Sequence, residues 1–244
     1  MMPYIYFAVP SYGLMAALGF IVSTSWLFCK RIYDLDYEMS FRDFLGLILM
    51  CGVGCLIGSK LLYGLTQIPV LIEDCSFDNL IYSFVGGGFV FYGGLFGAYL
   101  GAYIFAKYKE HDISKILGFI TPAFALFHAF GRIGCLLAGC CYGFHLDNSI
   151  MIGNVQFNYF PIQIVESVFE FIMFFILKRM KEQNRIFKMY LVCYSCFRFC
   201  AEFFRGDIIR GVWFGFSTSQ WISIIIILYL MIAFYKKKLK KSIT

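Results

Sequence analysis

His128-Ala-Phe-Gly-Arg-Ile-Gly-Cys-Leu-Leu-Ala-Gly-Cys-Cys-Tyr-Gly143 closes an apolar run that begins near Ile116 and holds one arginine, Arg132, inside it. A guanidinium at bilayer depth costs about 2.5 to 3.5 kcal/mol on an insertion scale, so it marks either an anion site or an intramembrane ion pair. Gly131, Gly134, Gly139 and Gly143 leave room for a second backbone or a ligand beside it, and Cys135, Cys140 and Cys141 add small polarizable side chains. The run reads as a spanning helix whose end carries chemistry.

Working outward, 60% of the 244 residues are hydrophobic and 15% charged, with a mean hydropathy of +0.74. That balance excludes a soluble domain of this length and demands a multi-span membrane protein. Taking about 20 apolar residues per crossing, seven helices are expected: 12–29, 44–65, 85–106, 116–138, 161–177, 189–205 and 216–235. The fold class is all-α, a polytopic helical bundle forming a single membrane domain over 1–244. The start, Met1-Met2-Pro-Tyr-Ile-Tyr, lacks a charged n-region and a cleavage site, so the first run is expected to remain as a spanning helix.

Most of the 21 basic residues fall in alternate loops. Lys30, Arg31 and Arg42 follow the first helix, and Lys107, Lys109 and Lys115 lie between the third and fourth. Lys178, Arg179, Lys181, Arg185 and Lys188 separate the fifth and sixth, and Lys236, Lys237, Lys238, Lys240 and Lys241 close the chain. The asymmetry predicts an outside N-terminus and a cytoplasmic C-terminus. The net charge of +6 is thus a topology signal, and no basic groove interleaved with aromatics calls for nucleic acid.

Lys60, Arg132, Arg198, Arg205 and Arg210 do not fit that pattern. In this topology four of them fall in or near the outer half, where Glu166 and Glu202 also lie. Polar groups from several helices sharing one depth point to an anionic ligand that enters from the outer leaflet. Gly54 and Gly58, and Gly93, Gly97 and Gly101, repeat every four residues and read as helix-packing positions. The run Gly86-Gly87-Gly88 offers backbone amides to phosphate oxygens, though such a run also occurs without a ligand. Two outer segments, an arm over 66–83 and a small cap over 144–160, are not read as spanning.

Six stretches in order resemble bacterial prolipoprotein diacylglyceryl transferases. They are Tyr12-Gly-Leu-Met, Gly87-Gly-Phe-Val-Phe-Tyr-Gly-Gly-Leu95, Gly131-Arg-Ile-Gly134, Pro161-Ile-Gln-Ile-Val-Glu166, Glu202-Phe-Phe-Arg205 with Asp207, and Ser219-Gln220. The resemblance implies a bacterial inner-membrane enzyme that moves the diacylglyceryl group of phosphatidylglycerol onto the lipobox cysteine of a preprolipoprotein signal peptide. A thioether would form and glycerol phosphate would leave, with no cofactor and no metal. On this reading Arg132 and Arg205 stabilise the departing phosphate, since a planar fork engages phosphate bidentately. Tyr12, Gln163, Glu166 and Gln220, with Gly131 and Gly134, would line the substrate site. Gly93 and Gly94 would admit lipid, and Glu202 would orient Arg205.

Two departures from the common pattern bear on the base. Tyr92-Gly93-Gly94 stands where many members carry His-Gly-Gly, and a tyrosine with a pKa of about 10 is a poor base at neutral pH. His128, one turn before Arg132, is either a replacement base or a packed core histidine. Cys135 and Cys140 occupy positions that the common motif gives to asparagine and glutamate. The ten cysteines also admit a rival reading. Cys193, Cys196 and Cys200 share a helix face and, with Cys135, Cys140 and Cys141, would hold a soft metal or a redox pair; the blander reading is small buried hydrophobes. A relative acting on another thiol or headgroup is a further alternative, and a channel or transporter is the third class.

Overall fold

The computed structural model describes residues 4–5, 9–33, 39–68, 76, 90–153, 155–206 and 212–243. Among them are seven α-helices: α1 Ser11–Tyr33, α2 Phe41–Thr66, α3 Phe91–Tyr108, α4 Ile113–Ala138, α5 Ile162–Leu177, α6 Gln183–Ala201 and α7 Thr218–Ile243. Among the described residues four stretches are long and apolar enough to cross a membrane: Ser11–Ile32, Phe41–Thr66, Ile113–Ala138 and Thr218–Lys236. The expected arm over 66–83 and the Gly86-Gly87-Gly88 run lie almost wholly outside the described residues.

Contacts divide the chain into two compact units, Phe28–Leu117 and a second made of Met1–Leu27 with Gly118–Thr244. In the first, α2 and α3 meet along their glycines. A Cβ on Gly58 would collide with the Gly93 carbonyl, and one on Gly54 with the Gly97 carbonyl. Absent side chains let the two backbones touch, and van der Waals contact then takes over where lipid supplies no hydrophobic drive. The space beside Gly93 that was expected to admit lipid is therefore taken by α2. Ser40 caps α2, its Oγ accepting from the Asp43 amide at 3.1 Å, and Lys109 pairs with Asp43 at 2.8 Å.

In the second unit, α4, α5 and α6 surround an apolar cluster that includes Leu126, Met173, Phe174, Leu177, Ile186 and Tyr190. Trp26 of α1 meets Phe174 edge-on at 5.2 Å. Gly118 has no room for a Cβ because the Gln183 carbonyl lies against it, which brings the start of α6 to α4.

α6 begins at Gln183, six residues before the expected start, because its first turns are polar and invisible to a hydropathy count. It ends at Ala201 and tightens into a 3-10 turn, Glu202–Phe204. The expected cap over 144–160 contains an antiparallel hairpin, β1 His145–Ile152 and β2 Val155–Tyr159, with an irregularity between His145 and Ile150.

Candidate functional site

α5 carries the organising face. Gln163, Glu166, Ser167 and Glu170 recur at spacings of three and four, so they line one side of the helix, and all four are buried. Ser167 Oγ donates to the Ala129 carbonyl at 3.1 Å and fixes α5 against α4. The two helices run antiparallel, so one turn forward on α4 meets one turn back on α5. Arg132 therefore reaches Glu166, while His128, a turn earlier, reaches Glu170 with Nδ1 to Oε1 at 2.8 Å. Tyr190 of α6 also donates to Glu170 at 3.1 Å.

Glu166 is the hub. Its Oε2 takes Arg132, and its Oε1 takes Arg198 at 2.6 Å with Arg205 at 3.6 Å. Arg198 Nη2 turns to Glu202 at 2.6 Å, one helical turn on, and donates to Ser219 Oγ at 3.3 Å. Among the described residues the cluster sets three guanidiniums against two carboxylates and keeps one net positive charge. Arg132, Glu166, Arg198 and Arg205 each expose no more than 12% of their side chains, so that charge is held away from bulk water. Arg132 Nε has no hydrogen-bond partner among the described residues, nor does Gln163 Oε1. Buried polar atoms are seldom left this way without a ligand or water to meet them.

Past α4 the chain turns back sharply. Gly139 and Cys141 both take positive φ, 75° and 58°, and the Sγ atoms of Cys135, Cys140 and Cys141 come within 4.8 Å of one another. Arg132 Nη1 lies 3.8 Å from Cys135 Sγ, and Gln163 Nε2 donates to the Cys140 carbonyl at 2.7 Å. Hydrogen bonds from Cys135 and Cys140, with the cations of Arg132 and Arg205 adding to them, hold the Cys141 thiol below its ordinary value despite burial.

Backbone bonds clamp the next residues. Gly143 N donates to Phe160 O at 2.9 Å, Phe144 N to Phe204 O at 3.1 Å, and Gly206 N to Tyr142 O at 3.3 Å. Gly143 bridges Arg205 directly, so this loop and the arginine are positioned together.

Of the other expected residues, Tyr12 packs on Gly134. Gly131 has open space where a Cβ would be. Gln220 is committed within the protein: Ser217 N donates to Gln220 Oε1 at 2.9 Å and Gln220 N to Ser217 Oγ at 3.3 Å, a reciprocal cap on α7, while Gln220 Nε2 donates to Phe199 O of α6 at 3.5 Å. Tyr92, Gly93 and Gly94 belong to the other compact unit, as does Lys60. Cys193, Cys196 and Cys200 do not join the thiol cluster. Asp207 lies outside the described residues.

The model for "Prolipoprotein diacylglyceryl transferase" matches residues 2–236. The chain belongs to the prolipoprotein diacylglyceryl transferase family. Its relatives include phosphatidylglycerol–prolipoprotein diacylglyceryl transferases of Clostridium tetani, 34% identical over 95% of this chain and 94% of that protein, and Clostridium perfringens, 35% identical over 94% and 91%. One from Dehalococcoides mccartyi is 28% identical over 88% and 84%.

Arg198, Ser167 and Glu170 were not among the expected site residues. Each had a signal. Arg198 is a cation in an apolar helix one turn before Glu202, and Ser167 and Glu170 extend the polar face that Gln163 and Glu166 begin. Chemically, the cluster suits a singly charged phosphodiester, whose charge matches the excess and whose oxygens match the donors.

Proposed function

We propose that this protein transfers the diacylglyceryl group of phosphatidylglycerol to the cysteine thiol of a prolipoprotein, forming a thioether and releasing glycerol phosphate. The observation that carries the reading is the buried Glu166 hub with its surplus guanidinium charge. Phosphatidylglycerol brings one negative charge on its phosphodiester, and the glycerol phosphate that leaves carries two. Donors aimed at those oxygens therefore bind the transition state more tightly than the ground state.

Arg132 and Arg205 grip the phosphate, and Arg198 holds Glu166 and Glu202 in place so that the two outer guanidiniums remain aimed. Gln163 Oε1 accepts from a substrate group, and Tyr12 with the open side of Gly131 flanks the entry of the headgroup. The enzyme lies in the bacterial inner membrane with its N-terminus outside and its lysine-rich C-terminus in the cytoplasm, a topology supported by the loop charges. The lipobox of the signal peptide presents the acceptor cysteine from the same side.

Reconstitution with labelled phosphatidylglycerol and a lipobox peptide tests this. Thioether product and glycerol phosphate are expected in equal amounts, and Arg132→Ala is expected to reduce both by about 100-fold or more. Parent-rate transfer by inserted Arg132→Ala protein overturns the assigned role.

A further inference from the structure

We infer that Cys135, Cys140 and Cys141 form a zinc site whose fourth position receives the acceptor thiol. The inference rests on the transferase reading for the identity of that thiol, and on geometry for the site itself.

Three thiol sulfurs within 4.8 Å of one another already approach the spacing a metal requires. Sulfurs at about 2.3 Å from a tetrahedral zinc ion stand about 3.8 Å apart, so the set closes with small side-chain movements. Soft thiolates favour zinc over the hard cations that carboxylates hold. Random packing would not produce the convergence. It requires Cys141, which is not a glycine, to hold φ at 58°, and such a conformation persists only where its surroundings enforce it. The enforcing contacts are present. Gln163 fixes the Cys140 carbonyl, and Tyr142, Gly143 and Phe144 are clamped to Phe160, Phe204 and Gly206.

Exposure is graded across the set, from buried Cys135 through half-buried Cys141 to exposed Cys140. Three protein ligands with one accessible side match a catalytic zinc site, since structural sites close with four. The neighbouring groups supply the reason. Glu166 is engaged by three guanidiniums and Glu202 by Arg198, so neither carboxylate near Arg132 is available as a base. A thiol bound to zinc is deprotonated outright without any such base. Arg132, 3.8 Å from Cys135 Sγ, puts the leaving-group cation beside the nucleophile site and offsets the charge of the thiolates.

The step balances. The three cysteines and the acceptor thiol release their protons to water as they bind the metal. The acceptor sulfur then donates its electron pair to the glyceryl carbon, forming the S–C bond. The C–O bond to phosphate breaks with its pair on oxygen, and glycerol phosphate departs with two negative charges toward Arg132 and Arg205.

The test measures metal and transfer in the same full-length protein. Purified in detergent without chelator, the chain is expected to hold one zinc ion. Cys135→Ser, Cys140→Ser and Cys141→Ser are each expected to weaken binding by more than about 100-fold, the upper range for losing only an outer partner. Cys196→Ser, remote from the cluster, keeps the metal. Cobalt replacement gives a sulfur-to-metal charge-transfer band that shifts when a lipobox peptide is added and does not shift with its Cys→Ser counterpart. Circular dichroism and chelation followed by zinc reloading separate metal loss from misfolding.

Metal-free protein that transfers at the parent rate, or a disulfide among the three cysteines with no bound metal, overturns the inference and leaves the transferase reading intact. Metal binding with no spectral response to the peptide overturns the acceptor-thiol role. A bound metal and a peptide shift without thioether product instead sink the transferase reading while the site stands.

Discussion

Glu166→Gln keeps the size of the hub and removes its charge. The side chain is 7% exposed and faces Arg132, Arg198 and Arg205 at once, so the substitution leaves three buried guanidiniums with Glu202 as their remaining carboxylate. Breaking a buried pair from one side costs about 3 to 5 kcal/mol, because the surviving charge keeps its desolvation penalty and loses its partner. For a chain of this length that corresponds to a fall in melting temperature of roughly 6 to 20 °C. Arg132 and Arg205 then lose their common anchor, and misplacement by about 1 Å is enough to slow transfer about 100-fold.

The assay is thermal unfolding in detergent together with transfer to a lipobox peptide, each measured on Glu166→Gln, Arg198→Met and the double variant. Among the described residues Arg198 pairs with Glu166, Glu202 and Ser219, so removing it from the Glu166→Gln background relieves the surplus positive charge that the first substitution leaves. The double variant is expected to be more stable than the sum of the single losses by about 0.5 to 3 kcal/mol. Glu166→Gln protein that melts with the parent, or strictly additive losses, would refute the hub.

Other substitutions separate further parts of the site. Arg132→Lys keeps the charge and loses the fork, and a fall in transfer of about 100-fold with normal insertion is expected. Gly143→Ala puts a Cβ 2.6 Å from Phe160 O and 2.7 Å from Phe204 O, both backbone, so the clamp must open. A loss of about 1 to 3 kcal/mol in unfolding, with transfer falling alongside, checks it. Gln163→Leu strips the donor from the Cys140 carbonyl and should cost about 1 to 3 kcal/mol; faster alkylation of Cys140 by a water-soluble maleimide reports the loosened turn. Gly97→Leu forces α2 and α3 apart, and increased protease sensitivity confined to 41–108 is expected.

Arg132, Glu166, Glu202 and Arg205 were legible because a charge inside an apolar run announces itself, and only packing of several helices explains four such charges. Their mutual pairing was not legible. Arg132 and His128 share a helix face in sequence, yet the antiparallel register of α4 and α5 gives them different carboxylates, and no local pattern encodes that register. The thiol cluster was legible in part: Cys135, Cys140 and Cys141 read as soft-metal candidates, but together with Cys193, Cys196 and Cys200, which do not join them. Read as a helix end, Gly139 to Gly143 merely stops; only its left-handed turn returns Cys140 and Cys141 to Cys135. Gln220 and Gly93 carried motif resemblance but are engaged in a helix cap and a helix seam, roles that the same residue types fill elsewhere.

The polar face of α5 governs how the chain enters the bilayer. Glu166 and Glu170 on a helix of 16 residues make it a poor lodger in lipid, since a single acidic residue near mid-membrane costs about 2.5 to 3.5 kcal/mol on the insertion scale. α4 emerges from the ribosome first and supplies Arg132 and His128, and α6 follows with Arg198 and Tyr190. The middle helix therefore partitions only as one of a trio. A nascent chain arrested before Arg198 should leave it stranded in the translocon, accessible to aqueous reagents.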